Sequence, residues 1–508
     1  MIKLLLIMVC FFSLTPKEFQ TPQGYLLSIA NNHVLADTTK TPKYVIKKST
    51  KNTQWTVDQR KLLITVLAKS DEEGLNPKNY QIEKLEKYEM MDSISETDIL
   101  KYNLLLSGNL KKYISHLTNG KLNPRKLYAD WDLKENRIEI DTIMLRLETG
   151  DSLAQKLETL KPQHSIYKKL KKALQIINTY PDDPFKKINI AKSIVPNSDN
   201  RLLINIKKRL IYWHDLEASD SLTTFYDSLT VNAVKKFQWR HGLVVDGIIG
   251  MGTIASLNYT KEDRKQQIIA NLERWKWYPR DMGSEYIIIN IPDFRLTLVK
   301  GSDTIRSHKA IVGRAERATP ILSSTLTHAV FNPTWTVPPT ILREDVIPEI
   351  LKSRSYLAEM NIIIYDEKGN VVSPENWQLS QAKNYRYVQT PGAFNSLGMV
   401  KLIFPNRFAV YLHDTNHRDY FEKTGRSLSS GCVRVNNPLE LTEYLLDDPV
   451  NWNLEKITTT LQKAQTIQAP IRKEVNIHIL YWTAWCQDDT LIFRDDIYNL
   501  DADLYNKL

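Results

Sequence analysis

The residue types that can do covalent chemistry gather in one short stretch. It runs Tyr411-Leu412-His413-Asp414-Thr415 and then Ser429-Ser430-Gly431-Cys432-Val433-Arg434-Val435-Asn436. A free thiol titrates at about 8.5, so only a few per cent is thiolate at neutral pH, and the thiolate is the nucleophile. A neighbouring imidazolium lowers that value by several units. His413 is therefore the candidate partner of Cys432: it takes the thiol proton and later hands it to a leaving amine. Gly431, having no Cβ, lets a substrate approach the backbone closely. The N–H groups around Gly431 and Cys432 would hold an oxyanion, and losing one such donor costs about 10²–10³ in rate. The chemistry so predicted is the making and breaking of an acyl thioester. No His-Glu-x-x-His, no phosphate-binding Gly-rich loop and no Gly-x-Ser-x-Gly occurs, and neither a metal nor a cofactor is expected.

Strands must hold these groups. Phe408-Ala409-Val410-Tyr411-Leu412 reads as a strand closed by His413, and the Ser-Ser-Gly turn delivers Cys432. Tyr286-Ile287-Ile288-Ile289-Asn290-Ile291 is a dense β-branched run. Leu296 and Leu298 alternate with polar residues, and Ala329-Val330-Phe331 reads as a further strand. Val475, Ile477 and Ile479 alternate with Asn476, His478 and Leu480 and run on to Trp482, which predicts a closing strand. Residues 340–396 interrupt this pattern after Pro338-Pro339, first partly helical and then irregular. An excursion of that length inside a β domain is expected to be a lid or cap.

Upstream the apolar period changes to that of a helix. Thr56 with Gln59 forms a capping-box pair, and Ser95 with Asp98 another. Leu106, Leu110, Tyr113, Ile114 and Leu117 recur at helical spacing until Gly120 stops them. Two more helices are expected between residues 142 and 178. Residues 56–205 thus predict an all-helical domain with no chemical constellation. In 206–260, Thr230 would cap a helix buried through Ala233, Val234 and Phe237 and ended by Gly242. Asp246-Gly247 and Gly250 make turns, and Thr253 would cap a last helix. His241 has no second ligand at zinc spacing and reads as a turn residue.

Met1-Ile2-Lys3 before an apolar run to Leu14 reads as an export signal within residues 1–36. The run falls short of the about 20 residues that span a bilayer, and an uncleaved anchor is the alternative. Residues 37–55 are a Lys- and Thr-rich linker. Removing the signal and its Cys10 leaves Cys432 and Cys486, too few for a disulfide framework, although the two can still pair. Cys486, between Trp482 and Trp485, is expected to be buried. The net charge of +10 suits an anionic partner. In an exported protein that points to a cell-envelope polymer and away from nucleic acid.

The reactive stretch resembles the L,D-transpeptidase catalytic domain of the YkuD-like family, whose pattern is a His, a gap, then Ser-x-Gly-Cys-x-Arg with a nearby Asn. His413, Ser429, Gly431, Cys432, Arg434 and Asn436 match it. Val312-Gly313-Arg314, Thr319-Pro320, Asn332-Pro333-Thr334-Trp335 and Leu397-Gly398 with Lys401 resemble segments of the large members. Residues 206–260 resemble the three-helix peptidoglycan-binding domain through Ala233 to Gln238, His241-Gly242-Leu243, Asp246-Gly247, Gly250 and Thr253. Asp414 and Ser430 depart from the short members, which leaves open what orients His413.

The resemblance implies a multidomain α+β protein: a helical scaffold domain (56–205), a small three-helix peptidoglycan-binding module (206–260), a connector (261–284) and a mainly β catalytic domain (285–508) with a capping insertion. It implies that Cys432 attacks the third-residue carbonyl of a tetrapeptide stem, expels D-alanine and passes the acyl group to a second stem in a 3–3 cross-link. Ser429 and Gly431 would complete the catalytic turn. Arg434, Asn436, Tyr411, Trp335 and Ser430 would bind substrate. Carbapenem acylation of Cys432, wall-synthesis partners for the helical domain and a periplasmic location follow from the same likeness. An L,D-carboxypeptidase using the same site and a non-catalytic wall-binding scaffold are the alternatives.

Overall fold

The computed structural model describes residues 55–91, 95–136, 138–148 and 152–508. The expected export signal, Cys10 and nearly all of the linker lie outside them. Among the described residues no helix is long and apolar enough to cross a membrane.

Both capping boundaries in the helical region hold. Thr56 and Gln59 exchange side-chain and backbone bonds at the start of Val57–Ala68. Ser95 accepts the Asp98 N–H at the start of Glu96–Asn119. The long helix buries Leu106, Leu110, Ile114 and Leu117 against Leu63 and Leu67, a core separate from that of the main sheet. Three helices, Ile140–Glu148, Leu153–Thr159 and Ser165–Thr179, occupy the stretch read as two, with Pro162 between the last two. The region is also not purely helical. Trp131–Asp132 forms a short strand that pairs in parallel with Ile321 and Leu322 at the edge of the main sheet.

The small module has three helices, Leu203–Tyr212, Ser228–Arg240 and Met251–Leu257. Its caps differ from expectation. Asp227 caps the second helix by accepting from the N–H and hydroxyl of Thr230, both at 2.8 Å, so Thr230 lies inside the helix. Gly250 opens the third helix, and Thr253 lies within it. The segment expected to be a connector is mostly the 17-residue helix Lys261–Trp277, buried along most of its length.

The main sheet has twelve strands. From the Trp131–Asp132 edge it runs through Ile321–Thr325, Asn476–Leu480, Glu285–Asn290, Arg295–Lys300 and Asp303–Gly313. It continues through Val433–Val435, Leu412–His413, Val400–Ile403 and His328–Phe331 to Ile467–Pro470, with Ser427–Ser429 lying against Asp303–Gly313. The strand expected to close the domain is thus interior. The strand expected from Phe408 is only Leu412–His413. Asn406 binds the N–H groups of Phe408 and Val410 (each 3.1 Å), and Ala409 adopts φ +54°, which turns the chain before Tyr411.

The cap is more ordered than its sequence suggested. After the helical turns between Pro339 and Lys352, an antiparallel sheet joins Trp335–Thr336, Arg386–Gln389, Ile362–Tyr365 and Val371–Val372. It buries its own cluster, including Val346, Leu357, Trp377 and Tyr387.

Candidate active site

Three neighbouring strands build the site. Leu412–His413 runs parallel to Val433–Val435, with His413 opposite Arg434, and antiparallel to Val400–Ile403, with His413 opposite Lys401. Side chains alternate between the faces of a strand. Leu412, Val433, Val435 and Leu402 are accordingly buried in the core. Tyr411, His413, Arg434 and Lys401 share the other face, where Cys432 enters its strand.

Cys432 is a free, partly exposed thiol whose Sγ lies 4.0 Å from the carbonyl oxygen of Ala409. The Tyr411 hydroxyl lies against the thiol and against Trp335, so the base of the cap reaches the nucleophile. Cys486 is also free and is buried.

The turn before Cys432 is held from inside. The Ser429 hydroxyl is buried, donates to the carbonyl of Cys432 at 2.6 Å and accepts the N–H of Gly431 at 3.2 Å. Gly431 adopts φ +113°, which L side chains rarely do. Its carbonyl accepts from Thr319 at 2.9 Å, and Thr319 in turn takes the Gly313 N–H at 2.8 Å. Ser429 therefore braces the turn from inside. Gly431 contributes a dihedral, since its N–H is already bonded. The N–H of Cys432 makes no hydrogen bond among the described residues, which leaves it free to donate. Ser430 points to the cap, where its hydroxyl accepts from Arg317 at 2.9 Å.

The electrostatics differ from the expected ion pair. Burial is the largest influence on His413, with Arg434 and Lys401 acting in the same direction and the Asp414 backbone opposing, and its pKa falls to about 3. Its Nδ1 is buried without a completed hydrogen bond. Burial pushes the Cys432 thiol up, against the pull of Tyr411, Arg434 and Lys401. The resting pair is therefore neutral thiol and neutral imidazole. The nearby cations that favour thiolate are Arg434 and Lys401, because burial and these same two cations hold the His413 ring neutral at rest.

The Asp414 carboxylate does not orient His413, although the Asp414 backbone interacts with the ring. The carboxylate Oδ2 accepts from the Met399 N–H at 2.9 Å and from Arg418 at 2.8 Å. Arg434 donates to Thr415 at 3.4 Å, while its Nε is buried without a partner. Asn436 lies past the strand end, where its N–H donates to Lys309 and its carbonyl accepts from His308.

Two site residues were not anticipated as such. Lys401 appeared in the sequence only as part of a family likeness, yet its half-buried ammonium sits 5.5 Å from the centre of the Tyr411 ring. Alternation with buried Val400 and Leu402 marks its face, but only the register shows that the face is that of His413. Arg317 binds Asp345 at 2.6 Å, Glu344 and Ser430, tying a π-helical turn of the cap to the cysteine turn.

Residues 284–451 match the family model of the L,D-transpeptidase catalytic domain. The chain carries a YkuD-family domain. Upstream of this YkuD domain, residues 48–174 match a scaffold domain and residues 201–257 a putative peptidoglycan binding domain. A putative L,D-transpeptidase of Haemophilus influenzae is 34% identical over 242 residues, 47% of this chain and 49% of that protein. The matched region thus spans about half the length of that curated relative. Among solved structures, an L,D-transpeptidase from Xylanimonas cellulosilytica is similar at 14% identity, covering 58% of this chain and all of that one, with a TM-score of 0.20. L,D-transpeptidase 1 of Mycobacterium tuberculosis is similar at 10% identity over 39% of this chain and 61% of that one, with a TM-score of 0.16.

Proposed function

We propose that this protein is a peptidoglycan L,D-transpeptidase of the cell envelope, acting on the periplasmic side. The observation that carries the reading is the convergence of Cys432, Tyr411, His413, Arg434 and Lys401 on one face of three paired strands, beside a cap whose Trp335 meets Tyr411. Neutral His413 takes the thiol proton as Sγ attacks the carbonyl of the third stem residue. The oxyanion is held by the N–H of Cys432. As the tetrahedral intermediate collapses, His413 returns the proton to the amine of the departing D-alanine, leaving a thioester on Sγ. The side-chain amine of a second stem attacks that thioester, gives its proton to His413 and frees the thiol. One amide bond is broken and one is formed, without oxidation.

Carbapenems present a strained amide to the same sulfur, and intact mass of the protein should show one adduct, absent from Cys432→Ala. The decisive measurement is mass spectrometry of disaccharide-tetrapeptide stems incubated with the protein and with Cys432→Ala. A Cys432-dependent dimer, lighter than two stems by one alanine and linked 3–3, supports transpeptidation. Tripeptide alone indicates a carboxypeptidase, and no change in either sample a binding scaffold.

A further inference from the structure

We propose that Lys401 reads the terminal carboxylate of the donor stem and thereby fixes which amide bond meets Cys432. The inference rests on the reading just given. Lys401 is held in place by its strand, opposite His413 on one side and Val330 on the other. Its ammonium is half-buried over the Tyr411 face, and the Tyr411 hydroxyl lies against the thiol. Among the described residues no carboxylate pairs with Lys401 or with Arg434, and the nearby Asp414 is committed to Arg418. A partly desolvated cation without a counter-ion is costly unless the site receives an anion. The donor stem carries such an anion close to the reacting atoms. The carboxylate of its last residue lies within about 4 Å of the carbonyl that Sγ attacks.

This geometry makes Lys401 a ruler. Adding one residue to the donor moves the carboxylate outward by about 3.5 Å, and amidation removes its charge. Either change should weaken binding about ten-fold or more, the range of a charged hydrogen bond. Arg434 spends one N–H on Thr415 at 3.4 Å and keeps its Nε without a partner, so the Lys401 variants below separate the two cations.

The test is calorimetric titration of disaccharide-tetrapeptide, as free acid and as C-terminal amide, into full-length Cys432→Ala. The acid should bind about ten-fold or more tightly than the amide. Adding Lys401→Met should abolish that gap, and adding Lys401→Arg instead should restore part of it. A gap unchanged by Lys401→Met, or absent from Cys432→Ala itself, overturns the proposal. Alanine release by the unmodified protein is read separately. A Lys401-dependent gap without any release defeats the transpeptidase reading and leaves the carboxylate receptor standing.

Discussion

Burial favours the neutral form of both Cys432 and His413, and this has a measurable consequence. Burial raises the thiol, so its alkylation by iodoacetamide in the resting protein should still be climbing past about pH 8.5, the ordinary cysteine value. Mass-monitored labelling across pH 5–10 tests this, and a plateau at neutral pH would show a preformed thiolate instead. Tyr411 pulls the thiol down, so Tyr411→Phe should shift the whole profile to higher pH. His413, at about 3, stays unprotonated throughout that window and should add no step of its own. Ser429 makes a second prediction at this scale. Ser429→Ala leaves the Gly431 N–H and the Cys432 carbonyl without partners, at a cost of about 1–3 kcal/mol in unfolding free energy. Alanine release should fall with it although Cys432 is intact. Unchanged stability and turnover would show that the turn holds without its brace. The pair itself was legible in the sequence because thiol, imidazole and Gly-containing turn form a local pattern. Its protonation state was not, because the half-buried cations beside His413 come from two other strands.

At the scale of elements, what the sequence concealed was register and cross-element contact. It marked most strands by alternation, yet it could not show that Lys401 faces His413 or that Arg317 reaches the cap. The cap sheet was hidden because its strands are two to four residues long, too short for a period to emerge. The latch between Arg317 and Asp345 with Glu344 should hold the cap over the cysteine turn. Arg317→Ala removes two charged contacts to solvent-exposed carboxylates, so its effect should show in cap mobility more than in global stability. Hydrogen exchange across residues 339–352 should accelerate and kcat/KM should fall about ten-fold. Exchange unchanged from the parent protein would mean that the cap is held elsewhere. Gly398 makes a stricter case. It adopts φ +62°, and a Cβ there would lie 2.5 Å from the Asp414 carboxylate. Gly398→Ala should therefore lower the unfolding free energy by about 2 kcal/mol or more and displace the residue beside His413. A variant as stable as the parent would mean that Asp414 has room to move.

At the scale of the molecule, the chain from Thr53 to Leu508 forms one compact unit, although its sequence reads as separable modules. The reason is the helix Lys261–Trp277. Its polar residues made it look like a connector, but they are satisfied by other modules. Asn271 bonds Thr483, and Arg274 pairs with Asp501 near the C-terminus. Glu273 accepts the N–H groups of Lys121 and Leu122 from the helical region. The same carboxylate lies 3.3 Å from Lys276, and both side chains are fully buried. Glu273→Gln would leave the Lys276 ammonium buried without a counter-charge, which typically costs about 3–5 kcal/mol. Burial already holds the Lys276 pKa below the ordinary lysine value. The folded variant should therefore bind fewer protons than its unfolded chain, and its stability deficit should shrink as pH rises toward 10. Adding Lys276→Met should recover much of the loss at neutral pH, since a buried pair can be replaced by apolar packing at little cost. Urea unfolding followed by hydrogen exchange gives the reading. Protection should be lost together in Glu96–Asn119 and in the strands around Cys432, because one helix secures both. Protection lost in the helical region alone would mean that the catalytic sheet folds without its scaffold.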